Sequence, residues 1–210
     1  MLKSKRIIVS ISLVALFAII AMLVSTSTSI FIDEKVYEFI SNFESNISTI
    51  FFKTITCLGN AKFVCCFCII FLVFNKTRDK VGIPLSLSVI TCGVLNIILK
   101  NIFQRNRPTL EQLVFEDSFS FPSGHSMIIA TIYVMLMYLT YKYIKSKNIR
   151  ITLYVICPIV IFLVGISRIY LRVHYFTDVL AGWTLGVVIS LTISYILEKI
   201  NNNNKESKSA

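Results

Sequence analysis

Long uncharged apolar stretches recur along the chain at intervals that suit membrane helices. Residues 7–32 form the first, preceded by Lys3, Lys5 and Arg6, and others follow at 63–76, 81–99, 119–142, 151–167 and 179–197. A helix needs about 20 apolar residues to cross a bilayer core. The second run reaches that length only if it begins near Thr54 and Lys62 snorkels toward the interface. The basic start of the first run is like that of a signal peptide, but its apolar part is longer, and it reads as a retained first span. Residues 33–52 have a different pattern. Val36, Phe39, Ile40, Phe43, Ile47, Ile50 and Phe51 recur at helical spacing with charged residues between them, which predicts an amphipathic helix lying on the membrane surface. The alternative there is a polar connection packed on the bundle. The expected fold is therefore all-α: a six-transmembrane-helix bundle with an amphipathic interfacial helix after the first span. Residues 1–200 form its single domain, and the polar, low-complexity stretch 201–210 is expected to be a disordered cytoplasmic tail.

Composition supports this pattern. Of 210 residues, 55% are hydrophobic and 15% charged, against about 25% charged in an ordinary soluble domain. An ordinary soluble domain is excluded, and so, with 7 glycines and 4 prolines, are a disordered chain and a collagen-like fibre. The net charge of +10 is informative through its distribution. With six spans and a cytoplasmic N-terminus, 13 of the 21 basic and 3 of the 11 acidic residues fall on the cytoplasmic side. The whole excess then lies on one side, as the positive-inside rule expects, and both termini are cytoplasmic. Such a charge belongs to membrane topology, and no nucleic-acid partner is expected. The six cysteines all lie in apolar stretches and read as small apolar fillers, not as metal ligands or disulfide partners.

This topology puts an unusual polar set at the extracytoplasmic ends of the spans. Lys100 ends the third span, with Arg105, Arg107 and Pro108 close behind; Pro122-Ser123-Gly124-His125 opens the fourth; Ser167 and Arg168 end the fifth; His174 and Asp178 open the sixth. Both histidines of the chain are on this face. Polar groups at membrane depth are costly and usually functional. A phosphate dianion calls for several fixed cations, with Arg offering a planar fork and Lys a point charge. Ser123 can cap the helix that follows it, and the backbone N–H groups around Gly124 can face an anion. Two histidines can divide a phosphoryl transfer, one attacking phosphorus and the other protonating the departing oxygen. His174 and Asp178, four apart, would share a helix face, where the carboxylate would fix the imidazole tautomer. Each feature also has a plain explanation: an interfacial basic cluster for headgroups, a common turn, a structural histidine. Their joint occurrence on one face argues against these.

Lys100, six residues, Arg107-Pro108; Pro122-Ser123-Gly124-His125; Ser167-Arg168, five residues, His174, three residues, Asp178: this succession resembles the three-part motif of the type 2 phosphatidic acid phosphatase superfamily, which also includes vanadium haloperoxidases. The resemblance implies a six-helix membrane phosphatase with no metal and no cofactor. At the matching positions it implies His174 as the nucleophile that becomes a phosphohistidine, Asp178 as the group that orients it, and His125 as the general acid. Lys100, Arg107 and Arg168 would clamp the phosphate oxygens, with Ser123 and the Gly124 backbone adding hydrogen bonds. Arg105 and Arg172 lie outside the motif. The expected partners are a lipid phosphate or diphosphate substrate and membrane lipids. Undecaprenyl diphosphate is the first expectation for the substrate, and phosphatidylglycerol phosphate and phosphatidate are alternatives. A phosphotransferase of the same family would use the same residues. A transporter is disfavoured, since no internal repeat is found and the polar groups sit at span ends.

Overall fold

The computed structural model describes residues 2–209, and all regular elements among them are helical. They are α1 (Leu2–Ser25), α2 (Ile30–Ser41), α3 (Asn46–Thr56), α4 (Ala61–Val73), the single turn α5 (Asn75–Thr77), α6 (Ile83–Phe103), α7 (Gly124–Tyr143), α8 (Lys147–Tyr170) and α9 (Phe176–Ser209). A 3-10 turn, Cys57–Gly59, follows α3, and a π-helical turn, Arg78–Gly82, leads into α6. Five helical segments among the described residues are long and apolar enough to cross a membrane, beginning at Lys5, Asn75, Gly124, Lys147 and Phe176. A sixth span arises if Asn46–Gly59 and Ala61–Val73, bent by 49°, count as one.

Three features differ from the sequence expectation. The first helix ends at Ser25, not near residue 32. There the Ser25 and Thr26 hydroxyls donate back to the Ala21 and Met22 carbonyls, and Ser27 takes a positive φ of 58°. The run of Ser and Thr from 25 to 29 carries no charge, so a search for uncharged stretches passes over this turn. The surface helix is two helices, broken at 42–45, because Ser45 and Ser48 form a reciprocal capping box that starts α3 afresh. Counted as one span, the bent pair begins at Asn46, upstream of Thr54, and bends at Asn60. At the other end of the chain, α9 is helical to Ser209. No Gly or Pro follows Gly186 to stop it.

The centre of the bundle is the contact of α7 with α9. A Cβ added at Gly186 would lie 2.5 Å from the Met127 carbonyl oxygen and 2.6 Å from the Ala130 Cβ, and one at Gly182 would lie 2.8 Å from the Ser123 carbonyl oxygen. These two glycines let the backbones approach closely, as small residues do between membrane helices. Polar groups along the seam are satisfied locally: the Ser190 hydroxyl donates to the Thr131 carbonyl at 2.7 Å. Leu85, Met127, Met135 and Ile189 fill the core beside it. At one end Arg6 pairs with Glu198 at 2.9 Å, and Glu198 also accepts from the Tyr138 hydroxyl, which ties α1, α7 and α9 together. At the other end the tight seam brings the Ser123 N–H onto the Asp178 carbonyl at 3.0 Å.

Gly186→Ala is expected to push α9 off α7 and to cost about 1–3 kcal/mol through overpacking, read as a lower melting temperature in detergent. Gly93→Ala is the matched control, because a Cβ there meets nothing within 4 Å. Its melting temperature is expected to be unchanged or slightly raised.

Candidate active site

The site lies at the end of the bundle where α6 and α8 finish and α7 and α9 start. Gln104, in the left-handed region at φ 45°, ends α6 and turns the chain into the loop that carries Arg105 and Arg107. The loop is held by the Ser120 N–H on the Arg105 carbonyl (2.8 Å) and the Leu113 N–H on the Leu171 carbonyl (3.1 Å). Asn96 of α6 donates to the Pro122 carbonyl at 3.2 Å and so fixes the segment before α7.

His174 is not on a helix. It sits in the tight turn between α8 and α9, with its backbone N–H on the Arg168 carbonyl. The four-residue spacing to Asp178 still works, because Asp178 lies in the first turn of α9 and its carboxylate reaches back. Asp178 Oδ2 accepts from the Tyr175 N–H at 3.0 Å, lies 3.3 Å from His174 Nδ1 and takes a short hydrogen bond from the Ser120 hydroxyl. The Nδ1 contact puts that proton on the carboxylate side and leaves Nε2 with its lone pair. Nε2 lies 3.4 Å from Arg107 Nη1. Burial pushes His174 down to about 3; Asp178 opposes the shift, and Arg168 and Arg107 add to it. The ring is therefore neutral across the physiological range, the form a nucleophile needs.

Three cations gather beside it. Arg107 is oriented by backbone: its Nε donates to the Ser118 carbonyl (2.6 Å) and its Nη1 to the Val173 carbonyl (2.7 Å). Lys100 reaches the Ser118 hydroxyl at 2.8 Å. Arg168 is 2% exposed at the side chain, with Nη1 on the Thr56 hydroxyl (2.7 Å) and Nη2 on Glu116 Oε1 (2.5 Å). Its Nε is buried and has no partner among the described residues. Glu116 also lies 3.6 Å from Arg107 Nη2 and 3.8 Å from His125 Nδ1. One carboxylate thus sits where two guanidinium groups and an imidazole converge.

His125, the second residue of α7, has its Nε2 2.8 Å from Asn60 Oδ1, so Nδ1 is the nitrogen turned toward Glu116. A Cβ at Gly59 would lie 2.6 Å from the His125 ring, so the bend of the second span packs directly on it. The Ser123 side chain is turned into α7, where it accepts from the Ser126 N–H and hydroxyl. With those bonds made, the Gly124 and His125 N–H groups are the first-turn donors that precede the helical ladder. Ser167 donates to the Val164 carbonyl within α8.

Lys100, Arg107, His125, Arg168, His174 and Asp178, far apart in sequence, are brought to one place. Ser123 and Gly124 serve as the start of α7 beside them. Sequence reasoning missed Asn60, Thr56, Glu116, Ser118 and Ser120. Each is a common polar residue in a loop or at a bend, with no spacing to mark it. Arg105 stood next to the motif and was set aside, yet its Nη1 lies 2.5 Å from Asp178 Oδ1.

Comparison with known proteins bears on the family of the chain. The family model for the PAP2 superfamily matches residues 81–202. The chain is 42% identical over 129 residues to phosphatidylglycerophosphatase B of Bacillus subtilis (strain 168), covering 60% of this chain and 62% of that protein. It is 34% identical over 125 residues to an undecaprenyl-diphosphatase of Sulfolobus acidocaldarius, covering 57% and 56%. The matched parts are thus less than two thirds of either relative's length. Among solved structures, the transmembrane PAP2-type phosphatidylglycerolphosphate phosphatase from Bacillus subtilis superposes with a TM-score of 0.83 at 34% identity, over 91% of this chain and 96% of that one. Aquifex aeolicus LpxE gives a TM-score of 0.62 at 26% identity, over 77% and 93%. The family match takes in every residue from Lys100 to Asp178, extends over more than half of the sequence and coincides with a shared fold, and the chain belongs to the PAP2 superfamily.

Proposed function

We propose that the protein is a membrane lipid phosphatase that works through a phosphohistidine. The observation that carries this reading is the convergence of Lys100, Arg107 and Arg168 beside a neutral, carboxylate-held imidazole, with a buried Arg168 Nε–H still unpartnered among the described residues. An unpaired buried donor is costly, and a phosphate oxygen would satisfy it. In the first step the His174 Nε2 lone pair forms a bond to phosphorus. The bond from phosphorus to the lipid oxygen breaks, and His125 gives that oxygen its proton. In the second step water attacks the phosphohistidine, His125 takes the proton back, and inorganic phosphate leaves with His174 restored. The three cations stabilise the charge on the equatorial oxygens in both steps. They also repel a metal cation and already supply the charge it would bring, which supports a reaction without metal. Asn60, holding Nε2 of His125, leaves Nδ1 to carry the proton.

Phosphatidylglycerol phosphate and undecaprenyl diphosphate are the two substrates suggested by the relatives' names, and they have equal support. A phosphotransferase differs only in replacing water with another acceptor. The concentration of basic residues at the opposite ends of the spans supports an extracytoplasmic site with cytoplasmic termini.

Purified protein is expected to release phosphate from at least one of phosphatidylglycerol phosphate, undecaprenyl diphosphate, phosphatidate and diacylglycerol diphosphate, with water as the sole acceptor. The fastest lipid names the substrate. His174→Ala should lower kcat by at least about 10³-fold, and His125→Ala by about 10²–10⁴-fold; a folded His174→Ala protein that keeps full turnover would overturn the mechanism. Turnover should persist in EDTA, and a complete loss restored by magnesium would count against the metal-free reaction. For the topology, Glu111→Cys and Lys145→Cys in a cysteine-free background are to be labelled with an impermeant thiol reagent in intact cells. Reaction at 111 and protection at 145 is the expected pattern, and the reverse would put the site in the cytoplasm.

A further inference from the structure

Asp33 is a charged residue out of place. It lies on α2, which the sequence pattern assigns to the membrane surface, yet its side chain is wholly buried. Its Oδ1 accepts from the Thr177 N–H at 2.9 Å, and its Oδ2 accepts from the Thr177 hydroxyl at 2.9 Å and from Arg105 Nη2 at 2.7 Å. Thr177 is the second residue of α9, so its N–H has no intrahelical partner. Asp33 thus caps α9 from another helix and places its negative charge at the positive end of that helix.

The same carboxylate controls a guanidinium. Arg105 extends one nitrogen to each of two buried acids: Nη2 to Asp33, and Nη1 to Asp178 Oδ1 and the Thr177 hydroxyl. The group lies 4.0 Å over the Tyr175 ring. The two oxygens of Asp178 have separate tasks. Oδ2 faces His174 Nδ1, the Ser120 hydroxyl and the Tyr175 N–H, whereas Oδ1 has Arg105 as its only partner among the described residues. Arg105 therefore fixes the Oδ1 end of the carboxylate and, together with the partners of Oδ2, sets its rotation. A buried guanidinium next to a single carboxylate tends to close on both of its oxygens. Here Asp33 pulls from the opposite side and prevents that.

We propose that Asp33 is a positioning residue for the nucleophile: it anchors Arg105 on one oxygen of Asp178 so that the other oxygen stays on His174. The proposal rests on the reading of His174 as the nucleophile. A role confined to fastening α2 onto α9 is the competing explanation. The two differ in what they do to kcat relative to anion binding, because Lys100, Arg107 and Arg168 hold phosphate without help from Asp33.

The test is Asp33→Asn in the full-length protein, with the most rapidly hydrolysed lipid as substrate and inorganic phosphate as competitive inhibitor. A kcat lowered by about 10- to 100-fold, the usual cost of losing an outer partner of a reacting group, is expected with a phosphate inhibition constant within about twofold of the unchanged protein. A kcat within about twofold would overturn the proposal. So would parallel losses of kcat and phosphate inhibition, the signature of a merely structural role. If Asp33→Asn does not fold, Arg105→Lys is read by the same criteria, since a point charge cannot bridge both acids. His174→Ala run alongside separates the failures. If that variant is active, the nucleophile reading falls and takes the proposal with it; if it is inactive beside a fully active Asp33→Asn protein, this proposal alone falls.

Discussion

A guanidinium buried at the end of an apolar bundle has to be surrounded by partners, and Arg168 sets that requirement for the whole site. Its desolvation would be prohibitive alone. The Thr56 hydroxyl from α3 and the Glu116 carboxylate from the loop each take one nitrogen, and the third nitrogen, Nε, is left unpaired among the described residues. Thr56 is the last residue of α3, just ahead of the 49° bend at Asn60. Asn60 in turn reaches His125. The bend that weakens this segment as a membrane helix is thus what supplies partners to two groups of the site.

The same logic governs the other half of the site. Two buried carboxylates, Asp33 and Asp178, share one guanidinium at 2.7 and 2.5 Å. Neither acid is tolerable there unpaired. His174 is held neutral by burial and kept in one tautomer by a carboxylate, a combination that leaves Nε2 a lone pair while Nδ1 holds the proton. Charge is concentrated here, and the surroundings are apolar, so electrostatic interactions are strong at this end of the molecule. The close α7–α9 seam makes the arrangement rigid by bringing Ser123 against Asp178 across the two glycines.

Much of the fold was legible because membrane helices declare themselves by composition. The spans ending near Lys100, starting near Gly124, ending at Arg168 and starting near Asp178 were all readable as apolar runs, and their polar ends marked the site. Charge-based reading failed where a turn carries no charge, at residues 25–29. It also failed where a cap interrupts an amphipathic pattern, at Ser45. Both are decided by hydroxyl groups bonding to nearby backbone, an interaction that hydrophobic periodicity does not register.

From sequence alone, then, came the all-helical class, the succession of apolar runs, the basic asymmetry and the identities of Lys100, Arg107, His125, Arg168, His174 and Asp178, since these rest on residue type and local spacing. Tertiary structure alone decided that His174 stands in a turn before α9, that Thr56 and Asn60 serve the site through a bend, and that Glu116 meets Arg168. It alone turned Asp33 from a surface helix onto Arg105. These are contacts between residues from about 50 to more than 110 positions apart in the chain, set by how buried charges and unpaired donors find partners. No local pattern encodes which distant polar residue will do so.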